Sequence, residues 1–144
     1  MKSFEWGNNR KRYKSKIDAW LVILVFGLLF LSFAPIFVFA FSWLSFAIAL
    51  LTVTMSAWFI FGTYYVVDDT RLYAYSGFIK FGPFNISDIT IISQTKSIES
   101  APATSLDRIR IRFADKKSLI VSPKDKSGFI SDLCRINGGI LCEL

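Results

Sequence analysis

The sequence predicts a membrane α-helical hairpin followed by an α+β domain, in which a curved antiparallel sheet is closed by one C-terminal amphipathic helix. Three observations predict it. Residues 19–67 hold no Asp, Glu, Lys or Arg; from residue 68 onward short apolar runs alternate with turn residues; and the last apolar residues recur at helical spacing. At 144 residues the chain has room for one modest domain beside the hairpin and none for a large catalytic core.

The uncharged stretch would run about 73 Å as one straight helix, against a hydrocarbon core of ~30 Å, so two crossings are expected. Lipid offers the backbone no hydrogen-bonding partners, which makes each crossing helical. The helices are placed near 17–38 and 42–63, with Pro35 and Ala40-Phe41-Ser42 as the expected turn; residues 34–45 hold no strongly polar side chain to fix that turn in water, so a shallow hairpin that does not fully cross is the alternative. Trp20, Trp43, Trp58, Tyr64 and Tyr65 fall near the expected ends, where amphipathic rings favour the headgroup layer. Ser45, Ala49 and Ala57 stand on a four-residue grid with Val53 at the missing step, a face on which two helices can approach closely. A basic start, an apolar run and Val38-Phe39-Ala40 imitate a cleaved signal peptide, but the apolar region is too long for one.

Residues 1–16 form a basic segment. Ahead of the first helix stand Lys2, Arg10, Lys11, Arg12, Lys14 and Lys16, against Glu5 and Asp18. By the positive-inside rule both termini are expected on the cytoplasmic side of the cell membrane, with a multi-pass topology. Arg10, Lys11, Arg12, Lys14 and Lys16 are the candidate contacts to anionic lipid.

Residues 64–144 are expected to form the cytoplasmic domain. Strands over 64–67 and 71–76 flank Asp68-Asp69-Thr70, a tight hairpin. Gly77 and Gly82-Pro83 punctuate the next segment, with Pro83 arguing for an edge strand or bulge. Runs over 84–87 and 89–95 continue the meander. The clearest strand spans 106–113, with Ile109, Ile111 and Phe113 on one face and Arg108, Arg110 and Arg112 on the other. Lys116-Lys117 makes the next turn, and the paired strand over 118–122 points Leu119 and Val121 inward. Ser122 then reads as a helix N-cap with Pro123 in the first turn; Phe129, Ile130, Leu133 and Ile136 mark the apolar stripe, and Gly138-Gly139 stops the helix.

The absence of histidine removes the commonest general base and metal ligand. Asp68-Asp69 reads as a turn rather than a catalytic pair, because adjacent strand residues point to opposite faces. No glycine-rich phosphate loop precedes a helix. Cys134 and Cys142, eight residues apart, match neither a zinc pattern nor a redox pair and are expected to be inert thiols. No catalytic, cofactor or metal residues are therefore assigned. Arg108, Arg110 and Arg112 form a stripe spaced ~7 Å apart, suited to an anionic headgroup or an acidic protein and otherwise a solvated strand face. From residue 68 on, 11 basic residues against 9 acidic are too balanced for a nucleic-acid domain.

Ser100-Ala101-Pro102-Ala103-Thr104-Ser105-Leu106-Asp107-Arg108-Ile109, then Val121-Ser122-Pro123-Lys124-Asp125-Lys126 and Phe129-Ile130-Ser131-Asp132-Leu133, resemble the bacterial PH-like (pleckstrin-homology-like) domain family, as does Ser15-Lys16-Ile17-Asp18-Ala19-Trp20. The resemblance covers nearly the whole chain, and Ser-Leu-Asp-Arg and Ser-Pro-Lys-Asp are its most specific pieces. It implies a PH-like roll with a C-terminal helix and no particular activity, the family being largely of unknown function. Ser105, Asp107 and Arg108 are the family-like candidates for interaction, alongside Arg110 and Arg112, with fixing of the preceding 101–104 loop as their structural role. The expected function is a non-enzymatic scaffold or adaptor presenting its domain to lipid or to an inner-leaflet protein. The alternative, immunity against a membrane-active bacteriocin, follows from what some membrane-bound relatives are thought to do.

Overall fold

The computed structural model describes residues 10–96 and 105–143. A first strand, β1 (Lys11–Lys14), precedes two long helices, α1 (Ala19–Phe39) and α2 (Trp43–Phe61). Then come β2 (Tyr64–Val67), β3 (Arg71–Ser76), β4 (Ile79–Asn85), a 3-10 turn (Ile86–Asp88), β5 (Ile89–Thr95), β6 (Arg108–Phe113), β7 (Ser118–Val121), α3 (Lys126–Ile136) and β8 (Leu141–Glu143). The strands form two four-stranded sheets, ordered β1-β2-β3-β4 and β7-β6-β5-β8, rather than the single curved sheet expected. All pairs are antiparallel except β5 with β8.

The position of β1 departs most from the expected organisation. Residues 11–14 pair antiparallel with β2, Lys14 opposite Tyr64 and Lys11 opposite Val67, so the basic segment placed at 1–16 contributes a strand to the domain placed at 64–144. The helical hairpin is thus an insertion between two adjacent strands. Backbone hydrogen bonds explain why a charged tetrapeptide becomes a strand: an unpaired edge on β2 would leave its N–H and C=O groups without partners. Residues 1–9 of that segment lie outside the described residues.

The helices run over 19–39 and 43–61, one to two residues inside most of the expected limits. Pro35 sits within α1, and the turn falls at Ala40-Phe41-Ser42. Ser42 caps α2 by accepting from the Ser45 N–H, while Ser45 Oγ accepts from the Ser42 N–H, so an apolar turn satisfies its own backbone. The hydroxyls of Ser32, Ser45, Thr52, Thr54 and Ser56 all donate to carbonyls of their own helix or its cap. Half-buried Val22, Phe26, Leu29 and Phe33 turn one face of α1 toward α2, which meets it with buried Ala49 from the expected small-residue grid. The remaining faces, including Ile23, Leu31, Leu44 and Leu51, are exposed.

In the domain Tyr65, Leu72, Ile86, Ile92, Ile109, Ile111 and Val121 are buried between the sheets. From α3, Phe129, Ile130 and Leu133 enter the same core, as the helical spacing predicts. Each such side chain contributes about 1.5–3 kcal/mol. Pro83 lies in β4, an edge strand whose register with β3 shifts between Leu72 and Ala74. Leu119 and Val121 point inward as expected, and Ile120 is buried as well. Lys116, at φ 65, takes the left-handed turn position after β6.

The start of α3 corrects one expectation. Asp125, not Ser122, is its N-cap, accepting from the Gly128 N–H at 3.0 Å. Ser122 is instead buried at the end of β7, its N–H donating to the Tyr65 hydroxyl (3.0 Å) and its Oγ 3.0 Å from Ser15 Oγ. Pro123 pairs with Ser15 as an isolated β-bridge and so precedes the helix. Tertiary pairing across 107 residues outweighs the local capping preference. At the other end of α3, Asn137 caps the helix and its Nδ2 donates to the carbonyls of Ile86 (2.9 Å) and Ile89 (3.1 Å).

Candidate functional site

The chemistry-bearing side chains gather where the helices meet the sheets. Residues 15–18 run from β1 to α1 between the start of β2 and the end of β7: Ser15 N–H donates to the Thr63 carbonyl (3.2 Å) and Lys16 N–H to that of Ser122 (2.7 Å). Asp18 precedes α1 as its N-cap, yet its carboxylate caps nothing in the helix. It accepts from Ser105 Oγ at 2.8 Å and from the Leu106 N–H at 2.9 Å. That backbone N–H and then the Ser105 hydroxyl hold Asp18 below the usual carboxylate range. Asp107 receives Lys126 and, at 2.9 Å, Lys16; the two ammonium groups, Lys126 first, lower its pKa as well. Arg108 Nε donates to the Ser105 carbonyl at 2.5 Å. The motif 105–108 is therefore a clasp that grips the entry of α1. Its expected partner loop, 101–104, lies outside the described residues.

A second carboxylate grips β1 from α3. Asp132, buried on the apolar face of the helix, accepts from the Tyr13 hydroxyl at 2.6 Å and pairs with Lys11 at 2.9 Å. The Tyr13 hydrogen bond, then Lys11, lowers the Asp132 pKa; burial and the Asp132 bond push Tyr13 up to about 12. Burial likewise raises Tyr65, whose hydroxyl joins Ser15 and Ser122 in the core.

Of the candidate lipid contacts, Arg10 lies 3.5 Å from Asp68, Lys11 is held by Asp132 and Lys16 by Asp107. Arg12 and Lys14 point from β1 to the outer face of the first sheet. There the Arg12 guanidinium sits 3.8 Å over the Tyr64 ring, and Tyr64 stacks on Tyr75 with centroids 4.8 Å apart. Along β6, Arg108 and Arg110 are half-buried and Arg112 is exposed. The structure brings Ser105, Asp107 and Arg108 together, while Arg110 and Arg112 recede along the strand. Cys134 Sγ lies 3.3 Å from Cys142 Sγ, a proximity the spacing does not foretell; burial first, then Cys142, pushes the Cys134 thiol up to about 11. Among the described residues no group of three or more Cys, Asp or Glu gathers to hold a metal ion.

Comparison with known families matches the bacterial PH domain to residues 63–137, from the exit of α2 to the cap of α3. The chain belongs to the bacterial PH domain family. Antiparallel sheets followed by a C-terminal helix are consistent with a PH-like fold, and PH-like domains are generally non-catalytic binding modules. The match leaves out β1 and both helices of this PH domain protein, which the resemblance in the sequence had included. No curated protein and no solved structure matches the chain.

Sequence reasoning singled out Ser105, Asp107 and Arg108 but missed Asp18 as the acceptor of the Ser105 hydroxyl, and missed Asp132, which holds Tyr13 and Lys11 from α3. A signal for Asp132 exists: it stands three residues after Phe129 and beside Leu133, a carboxylate on the apolar stripe of α3. No local signal marks the Tyr64–Tyr75 stack, which depends on strand register.

Proposed function

We propose that this bacterial PH domain protein is a non-enzymatic, membrane-anchored binding module, its PH-like domain held at the inner leaflet by the α1–α2 hairpin to meet a lipid or protein partner. The observation that carries the reading is the insertion of two exposed apolar helices between paired strands. The apolar lengths of α1 and α2 are 0% and 11% buried, an exposure that supports helices covered from outside the domain rather than core helices of it. Apolar surface of this extent needs lipid or a partner to cover it. The hydroxyls turned back onto their own helices suit a solvent that offers no hydrogen bonds. Pairing of Lys14 with Tyr64 supports a hairpin that leaves and returns on one side, with β1 and the sheets together. The basic residues around β1 favour the cytoplasmic side. Tethering then raises the effective concentration of membrane partners, so weak contacts suffice.

The test is fractionation with protease protection. The full chain is expected to stay in the membrane through alkaline carbonate washing, and trypsin is expected to digest the domain in inverted vesicles but not in intact spheroplasts. Release into the carbonate supernatant, or digestion from outside, would refute the reading.

A further inference from the structure

The outer face of the first sheet carries a row of side chains that crosses all four strands. Lys14 on β1 lies opposite Tyr64 on β2, Tyr64 opposite Tyr75 on β3, and Tyr75 opposite Lys80 on β4. The two tyrosine rings stack 14° from parallel, and Lys80 Nζ hangs 4.7 Å from the Tyr73 ring and 5.9 Å from that of Tyr75. Arg12 covers Tyr64 from the next row. Cations thus flank an aromatic platform, and none of Arg12, Lys14 and Lys80 pairs with a carboxylate among the described residues.

This row is the one nearest the helices. Tyr64 follows the end of α2 by three residues, and Lys14 precedes α1 by five. Beyond it the β3–β4 turn reaches back against α2: Phe78 stacks on Trp58 with centroids 5.2 Å apart and meets Phe59 edge-on at 6.4 Å. Gly77 makes that approach possible, since at φ 58 a Cβ there would lie 2.8 Å from the Phe59 ring. Phe78 is nevertheless 69% exposed and the next residue, Ile79, 50%. An apolar tip beside the last turn of an apolar helix, with cations one step behind it, matches the layering of acyl chain and headgroup.

From this geometry we infer that the β3–β4 hairpin is a second membrane-contact element: Phe78 and Ile79 enter the acyl boundary beside Trp58, and Lys14 and Lys80, with Arg12, hold the phosphate of an anionic phospholipid over the Tyr64–Tyr75 platform. The inference rests on α2 lying in a bilayer and names the lipid class that the domain meets there. It differs from a diffuse basic segment because it needs Lys80, 66 residues further along the chain, and dispenses with Lys11 and Lys16, which carboxylates already hold.

Its test uses the full chain with Trp58 as the only tryptophan (W6F/W20F/W43F), reconstituted in phosphatidylcholine nanodiscs containing an equal minor share of chain-brominated phosphatidylglycerol or chain-brominated phosphatidylcholine. Brominated phosphatidylglycerol is expected to quench Trp58 more strongly, each lysine carrying a preference of about fivefold for the anionic lipid. K14A/K80A is expected to erase the excess and leave quenching by brominated phosphatidylcholine unchanged, whereas K116A/K117A, which removes the same charge at the β6–β7 turn, keeps it. Equal quenching by the two lipids, or an excess lost equally in both double variants, would overturn the headgroup site while leaving the anchored module standing. Absence of quenching by either lipid would overturn both.

Discussion

Phe30 on α1 and Phe129 on α3 are the same side chain on the same kind of element, yet one is 75% exposed and the other fully buried. The difference runs through the two regions that hold them. The hairpin is apolar on every side and buries only the narrow seam between its helices, while the domain alternates polar with apolar and buries almost every apolar residue that its strands turn inward. Apolar content alone says that water is avoided. Its pattern says from where cover must come: continuous apolarity asks for a covering from outside the chain, and periodic apolarity asks for a second layer of the same chain. The joint between the regions is polar: Asp18 and Asp107, with Ser105, Leu106, Lys16 and Lys126, hold the entry of α1, while Asp132 ties β1 to α3.

Phenylalanine truncation breaks this comparison most directly. Phe129→Ala removes a ring packed edge-on against Tyr13 at 5.3 Å and is expected to lower stability by about 3–5 kcal/mol. Phe30→Ala, on the exposed side of α1, is expected to stay within about 0.5 kcal/mol of the parent. Denaturation of both variants in nanodiscs, followed by near-ultraviolet circular dichroism, measures the contrast; equal losses would mean that the hairpin is packed as tightly as the domain.

A smaller effect tests whether β1 belongs to the domain. Asp132→Ala leaves the Tyr13 hydroxyl and Lys11 without their acceptor on α3, a loss of about 1–3 kcal/mol for a part-buried charged hydrogen bond. Freed from α3, β1 should peel from β2, and limited trypsin digestion should cut after Lys11, Arg12 and Lys14 sooner than in the parent. An unchanged digestion pattern would show that pairing with β2 alone holds the strand.

These contrasts follow what was legible in the sequence. The hairpin was legible because a charge-free stretch is a one-dimensional signal, and β6 because Arg and Ile alternate strictly through 108–112. The helical stripe of α3 was legible for the same reason. What stayed hidden depends on pairing between distant residues. Lys11-Arg12-Tyr13-Lys14 turns only one apolar side chain inward, Tyr13, so nothing in its pattern marks a strand; it becomes one through β2, on the far side of two helices. Ser122-Pro123 imitates a helix start until Ser15 and Tyr65 claim the serine. The Lys14–Tyr64–Tyr75–Lys80 row exists only once three registers are set, and shifting any of them by one residue would turn a member to the other face. The candidate site at 105–108 was legible as a motif, but its carboxylate partner Asp18 belongs to the helix entry and could be paired with it only in space.

The mildest prediction sharpens the joint itself. Asp107 has its pKa lowered by Lys126 and Lys16, so its contribution to stability is present above the unfolded carboxylate value near 3.9 and is lost as pH falls through the lower folded value. Lys16 has its pKa raised, chiefly by its hydrogen bond to Asp107, so its share is present below the unfolded lysine value near 10.4 and fades as pH rises through the folded one. Asp107→Asn removes both contributions. The gap in Tm between parent and Asp107→Asn should therefore be widest between about pH 5 and 9, close below about pH 4, and narrow again above about pH 10. Both groups are substantially exposed, which limits the gap to a few degrees and makes it shrink in high salt. A gap that stays constant across the whole range would mean that Asp107 holds α1 by shape alone, and that the root of the hairpin is fixed without charge.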